Sequence, residues 1–243
     1  MQYWALTDVG IVRTQNQDTY QIEELDRDTV LCVVCDGMGG AKSGDVASVM
    51  TAEAFTREVK RVWSANMDET QLEEMLLDAL NVANLAVYEQ SQQHEDYRGM
   101  GTTMVALLLQ GKQAIFLNVG DSRGYLLDEV GITQITTDHS LVQLMIDRGE
   151  LTPEQAKYDT KKNVITRAVG TDTHIQGDVF RREVKKGDSL LLCTDGLSNL
   201  LDDQEILFEV AYGENQDQCC QRLIDLAKKR GAPDNVTCLL VAV

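Results

Sequence analysis

An antiparallel α+β architecture is what this sequence predicts, on three observations. Apolar runs of strand length recur, and short turn-like connections join several of them, such as Gln110-Gly111-Lys112-Gln113 between residues 102–109 and 114–119. Elsewhere apolar residues step by three and four, the period of a helix with one buried face. The 243 residues are 43% hydrophobic, with only two prolines and no linker-like stretch, which suits one large core and a single domain over 1–243.

Residues 3–9 alternate as a strand that Gly10 ends, and residues 20–25 resume as a half-exposed strand. Asp26-Arg27-Asp28 then turns the chain into Val30-Leu31-Cys32-Val33-Val34-Cys35, so these three strands are expected to form a meander. That last run, six apolar residues of which three are β-branched, reads as a strand buried on both faces. Such a strand cannot leave a carboxylate inside, so Asp36 is expected at its end, followed by Gly37-Met38-Gly39-Gly40. The glycines let the backbone turn sharply and approach a ligand closely. Asp36 and the Gly37 carbonyl together offer oxygen to a magnesium- or manganese-type ion.

Ala52, Phe55, Val59 and Val62 then share a helical face, with Ser43 available as a cap, and Leu72, Leu76, Ala79, Leu80, Ala83 and Val87 give a second stripe. Residues 92–98 are polar and loop-like. The strand 114–119 ends in Gly120-Asp121-Ser122-Arg123, and a hairpin of residues 125–127 and 132–135 leads to Asp138-His139-Ser140. From 141 to 167 the pattern is helical and then irregular, with a capped helix start at Thr152-Pro153-Glu154-Gln155 and a basic stretch holding Lys157, Lys161 and Lys162. Residues 175–184 read as a strand, and Ser189-Leu190-Leu191-Leu192-Cys193-Thr194 is a second buried run ending in Asp195-Gly196. Two helices over 202–210 and 219–229, the turn Gly231-Ala232-Pro233-Asp234-Asn235, and a strand over 236–243 complete the chain.

Composition removes several functions. With 22 basic against 39 acidic residues the net charge is −17, which repels nucleic acid and suits cations. No run of about twenty apolar residues predicts a membrane span. The first residues lack the basic start and apolar core of an export signal, so a cytoplasmic location is expected, and with it six reduced cysteines. Cys32 and Cys35 have zinc-like spacing but lie inside the apolar run, where packing explains them.

Asp36, Asp121, Asp195 and Asp234 each stand where an apolar run begins or ends. Singly, each is an ordinary solvated strand end. Delivered together to one edge, they would repel one another and raise each other's pKa unless divalent cations neutralised them. Two ions about 4 Å apart, sharing a carboxylate, hold a bridging water as hydroxide and clamp phosphoryl oxygens. The chemistry implied is hydrolytic.

The ordered set Gly10-Ile11-Val12-Arg13-Thr14-Gln15-Asn16-Gln17-Asp18, Asp36-Gly37-Met38-Gly39-Gly40, Gly101-Thr102-Thr103, Val119-Gly120-Asp121-Ser122-Arg123, Asp138-His139-Ser140, Cys193-Thr194-Asp195-Gly196-Leu197 and Asp234-Asn235-Val236-Thr237 resembles the metal-dependent PP2C-type (PPM) protein Ser/Thr phosphatases, in their compact bacterial form. The resemblance implies a four-layer αββα sandwich, two antiparallel sheets flanked by helix pairs, with a flap over about 141–165 beside the active site. It implies two Mn²⁺ or Mg²⁺ ions and a possible third. Asp36 would bridge, the Gly37 carbonyl would bind one ion, and Asp195 and Asp234 the other. Asp18 would act through metal-bound water, and Asp121 with Asp195 would hold the third ion. Arg13 would bind the substrate phosphate with its forked donors, and a bridging hydroxide would attack phosphorus directly. The implied substrates are phosphoserine and phosphothreonine proteins, opposite a bacterial Ser/Thr kinase, and the implied state is a monomer. A catalytically silent phosphoprotein-binding relative and a hydrolase of another phosphoester are the rivals.

Two positions depart from eukaryotic members. Met38 stands where they carry a histidine proposed to protonate the leaving oxygen, which leaves His139 as a candidate acid or as an organiser of its loop. Gln17 stands where they carry Glu, and would hydrogen-bond a metal-bound water without adding charge.

Overall fold

Strands of the computed structural model, which describes residues 1–38, 43–213 and 215–243, sort into two antiparallel sheets. Gly39 and Gly40 of the glycine turn lie outside the described residues. One sheet runs β1 (Gln2–Asp8), β11 (Val236–Ala242), β10 (Ser189–Cys193), β7 (Arg123–Leu127), β8 (Ile132–Gln134). The other runs β2 (Asp18–Asp26), β3 (Thr29–Met38), β5 (Met104–Gln110), β6 (Gln113–Val119), β9 (Asp178–Glu183), with β4 (Gly101–Thr102) paired to the end of β3.

The expected three-strand meander is therefore corrected. β2 and β3 form the hairpin, but β1 leaves for the other sheet and pairs along its whole length with β11, from Gln2 opposite Ala242 to Asp8 opposite Val236. The reason lies in its two apolar faces: Trp4 and Leu6 pack toward one helix layer, while Tyr3 and Ala5 pack into the core between the sheets. A strand that is apolar on both sides needs cover on both.

Three apolar layers result. Val30, Cys32, Val34, Leu107 and Phe116 meet Leu190, Leu192, Leu239 and Val241 between the sheets. The opposite face of β3, with Leu31, Val33 and Cys35, meets Phe55 and Val59 of α1 (Gly44–Val62) and Leu76 and Leu80 of α2 (Glu69–Gln93). Leu191, Cys193, Cys238 and Leu240 meet Ile206 and Val210 of α6 (Asp203–Tyr212) and Leu223 and Ile224 of α7 (Cys219–Lys229). At roughly 1.5–3 kcal/mol for each such large side chain, these layers are the main stabilising term. All six cysteines are free and buried, as packing predicts.

Smaller differences have local causes. Residues 92–98 are not a loop throughout: α2 runs to Gln93 and a 3-10 turn follows at Glu95–Tyr97. The strand expected over 175–184 shortens to β9, because pairing with β6 begins only at Asp178 opposite Asn118. Ser43 occupies the cap position of α1, where its carbonyl rather than its side chain closes the first turn, accepting from Ala47 N–H at 3.1 Å. Thr152 and Gln155 form the expected capping box on α4 (Pro153–Ala156). That helix and α3 (Leu141–Asp147) make up one excursion, closed at its base by the bridge between Ser140 and Ile165.

Candidate metal centre

Asp36 lies inside β3 and not beyond it, since the strand continues to Met38. It sits where the ladder changes partner. Pairing with β5 ends at Val34 opposite Val105, and pairing with β4 starts at Gly37 opposite Thr102. Thr103 bridges the gap: Asp36 N–H donates to its Oγ1 at 3.0 Å, and the Asp36 carbonyl accepts from Thr103 N–H at 2.9 Å and from Thr102 Oγ1 at 2.8 Å. The backbone is thus fully bonded, and the side chain is left over. Directly across the hairpin stands Asp18, an acid opposite an acid, which weakens a sheet unless something else holds both.

The remaining acids arrive from the other elements. Asp121 follows β6, Asp195 opens the short helix α5 (Asp195–Ser198) straight after β10, and Asp234 precedes β11. Close backbone contact fixes two of these turns. A Cβ on Gly196 would lie 1.8 Å from the Asn235 carbonyl oxygen, so the Asp195 turn packs directly on the Asp234-Asn235 turn. A Cβ on Gly37 would lie 2.0 Å from the Gly44 carbonyl oxygen, which seats the strand end against the start of α1.

Asp36 lies within electrostatic reach of the other four acids. Burial, then Asp18, Asp195, Asp121 and Asp234, push the Asp36 carboxyl well above the usual range. Asp195 is raised by burial and by Asp234, partly offset by a hydrogen bond with Asp36. Burial, with help from Asp195 and Asp138, lifts Asp121 to about 8. Asp18 is lifted to about 7 by burial, against two hydroxyl hydrogen bonds, with Asp195 and Asp234 adding to the rise.

The donors are hard carboxylate oxygens on rigid elements, and their mutual repulsion is the kind a cation relieves. Asp18 Oδ1 is buried and has no hydrogen-bond partner among the described residues, a cost that a ligand in the cluster would remove. Among the described residues no three His, Cys, Asp or Glu side chains are grouped as a finished metal cage. On donor chemistry, repulsion and the orphaned oxygen, the set fits.

Arg13 is also brought here: its Nη2 donates to Asp234 Oδ2 at 2.9 Å, and the guanidinium is about half exposed. Gln17 packs its side chain beside Gly44, while its carbonyl accepts from Gly37 N–H and its N–H donates to Asn235 Oδ1 at 2.8 Å. His139 is only 6% exposed, and both ring nitrogens are engaged. Nδ1 accepts from Gly120 N–H at 3.1 Å, and Nε2 lies 3.3 Å from Asp178 Oδ2 and 3.2 Å from Arg167 Nη1. Its own N–H donates to the Gly120 carbonyl at 2.8 Å. Arg123 adds a forked pair to Asp138, with Nη2 to Oδ2 at 2.7 Å. Asp138-His139-Ser140 therefore clamps the Gly120-Asp121 turn, which is the organising role.

Sequence reasoning missed the hydroxyls. Thr194 and Thr237 donate to Asp18, and Thr103 bonds Ser122 at 2.7 Å. A signal existed: each lies within three residues of one of the acids or in the Gly101-Thr102-Thr103 run, at positions where a buried hydroxyl must find a partner.

A family model described as Protein phosphatase 2C matches residues 12–232. The chain is 34% identical over 235 residues to the serine/threonine phosphatase Stp of Listeria monocytogenes, across 97% of this chain and 93% of that protein. The crystal structure of serine/threonine phosphatase Stp1 from Staphylococcus aureus superposes with a TM-score of 0.93 at 34% identity, covering 99% of this chain and 94% of that one. The catalytic domain of the serine/threonine protein phosphatase PstP in complex with two manganese ions superposes with a TM-score of 0.84 at 35% identity, covering 98% and 96%.

Proposed function

From the premise that this chain belongs to the protein phosphatase 2C family, we infer that it is a metal-dependent protein serine/threonine phosphatase working at the acid-lined end of its sandwich. The single observation that carries the reading is the gathering of Asp18, Asp36, Asp121, Asp195 and Asp234, from five separate segments, into one mutually repelling cluster. The family and the two-manganese relative support two Mn²⁺ ions; Mg²⁺ as a substitute and a third ion are part of this proposal.

Asp36 would be shared between two ions, with the Gly37 carbonyl on one and Asp195 and Asp234 on the other. Asp18 would act through water, and Asp121 with Asp195 would hold the third. When bound, such ions make a nucleophile from water near neutral pH and withdraw charge from phosphoryl oxygens. The chain's own residues do the positioning. Asp36 is presented by a strand whose backbone is locked by Thr102 and Thr103. Arg13, tied to Asp234 through one nitrogen, keeps its other donors for the phosphate of the substrate. Hydrolysis leaves a seryl or threonyl hydroxyl and inorganic phosphate, and no cysteine takes part, as all six thiols are buried. The segment 141–165 with Lys157, Lys161 and Lys162 gates the approach of phosphorylated chains, which a Ser/Thr kinase would supply.

A phosphothreonine peptide, a phosphotyrosine peptide and a nucleotide assayed side by side, with Mn²⁺ and with chelator, test this. Turnover of the phosphothreonine peptide alone, lost on chelation, is expected. Equal cleavage after chelation, or a preference for the nucleotide, would overturn it.

A further inference from the structure

Asp18 is held by a directed chain of hydroxyls. Thr237 Oγ1 donates to Asp18 Oδ2 at 2.7 Å, and Thr194 Oγ1 donates to the same oxygen at 2.9 Å. Thr237 has spent its only hydroxyl proton, so at the 2.7 Å contact with Thr7 Oγ1 it accepts and Thr7 donates. Thr7 in turn accepts from Asn16 Nδ2 at 2.8 Å. Thr194 Oγ1 accepts from Thr237 N–H at 3.0 Å, and Thr194 N–H donates to the Thr237 carbonyl at 3.1 Å. The loop closes where Asp18 N–H donates to Asn16 Oδ1 at 3.2 Å. The hydroxyl protons of Thr237 and Thr194 thus converge on Asp18 Oδ2.

The chain also spans the two sheets. Thr7 lies on β1, Thr237 on β11 and Thr194 just after β10, all in one sheet, whereas Asp18 begins β2 in the other. Thr194 and Thr237 are fully buried, and Asp18 is 6% exposed. Two donors saturate one carboxylate oxygen, while Oδ1 is buried without a partner among the described residues. The side chain is thus held by one oxygen, which leaves the other available to a ligand among the neighbouring acids. Hydroxyls suit the task because they fix a carboxylate without adding a positive charge that would compete with a divalent ion for it.

We propose that Thr194 and Thr237, backed by Thr7, are positioning residues for the metal centre: they lock Asp18 through Oδ2 and so present Oδ1 toward the bound ions. The proposal rests on the metal reading above. Loss of a hydrogen-bond partner of a direct metal ligand costs about 10–100-fold in metal affinity, and because Asp18 would act through water the low end of that range is expected here. Thr→Val replaces the hydroxyl by a methyl group of similar size.

The test is calorimetric titration of Mn²⁺ into the chelator-stripped full chain, for wild type, Thr237→Val, Thr194→Val, Thr7→Val and Thr237→Ser, with melting temperatures taken with and without Mn²⁺. Thr237→Val and Thr194→Val should bind Mn²⁺ at least about tenfold more weakly, Thr7→Val less so, and Thr237→Ser should bind as wild type. The Val variants should lose a few degrees when stripped, as the buried Asp18 Oδ2 loses a donor and, in Thr194→Val, the Thr237 N–H loses its acceptor, and markedly more when loaded. Mn²⁺ affinity within about twofold of wild type in both Val variants would overturn the proposal, as would equal melting losses in both states, which mark a purely structural role. A wild-type chain that binds no Mn²⁺ would instead overturn the metal reading itself.

Discussion

Asp36 is the residue whose substitution has opposite signs with and without ions. Its carboxyl is already held well above the usual range by burial and four neighbouring acids, so Asp36→Asn removes a repelling group from the stripped protein. Melting with chelator should therefore hold or rise by a few degrees, while activity in saturating Mn²⁺ falls by about 10³-fold or more, as expected for a shared ligand. Retained turnover would contradict the assignment. The same burial makes stability depend on pH. Asp18 and Asp121, raised from 3.8 to about 7 and about 8, bind protons more tightly folded than unfolded. Their contribution is fully present below about pH 3.8 and is lost as the pH climbs through about 7 and 8. Chelated protein should lose melting temperature across about pH 5–8.5, and Mn²⁺ binding near pH 6.5 should release protons, read by calorimetry in buffers of different ionisation enthalpy. A melting temperature that climbs over that window would refute the sign. Since both nitrogens of His139 are engaged, with the Gly120 turn and with Asp178, His139→Ala should slow an aryl and an alkyl phosphate by the same factor, within about twofold. A selective loss on the poorer leaving group would restore it as the acid.

The turns carry the precision at the scale of elements. Gly196 leaves no room for a methyl group against the Asn235 carbonyl, so Gly196→Ala must pry α5 from the start of β11 and separate Asp195 from Asp234. Overpacking of this kind costs about 3 kcal/mol, or roughly 10 °C in a chain of this size, and Mn²⁺ affinity should fall with it. A variant that melts and binds as wild type would show that the two turns move independently. The sequence announced this junction only in part. The buried run before Asp36, the strand-Asp-Gly pattern at Asp195 and the stripes of the long helices were all legible, because hydrophobic period is a local property. The destination of β1 was not, since its partner lies more than two hundred residues away at Val236–Ala242 and nothing near Gln2 points there. Asp36 was misplaced by a similar blindness. A strand can carry a carboxylate inside its length if its neighbour breaks beside it, and the break at Thr103 is a property of the partner, not of β3. The hydroxyl chain on Asp18 was hidden for the same reason, as its members come from β1, β2, β11 and the end of β10.

For the molecule as a whole, the acids at 18, 36, 121, 195 and 234 meet only when both sheets are in place, so the ions bind to the folded chain and to nothing that survives unfolding. Binding is then linked to global stability, and each site filled at a hundred times its dissociation constant adds about 2.7 kcal/mol. Two such sites, at about 2–4 °C per kcal/mol, raise the midpoint by roughly 10–20 °C in a single transition. A net charge of −17 offers a rival account, in which any cation stabilises by screening the surface. The two are separable, because screening depends on ionic strength and not on Asp36. Mn²⁺ should lift wild type by the full amount, NaCl at matched ionic strength by only a few degrees, and Mn²⁺ on Asp36→Asn by little more than NaCl does. Equal lifts by Mn²⁺ in wild type and Asp36→Asn, measured by scanning calorimetry, would mean that the charge of the surface and not the gathered acids governs how ions stabilise the fold.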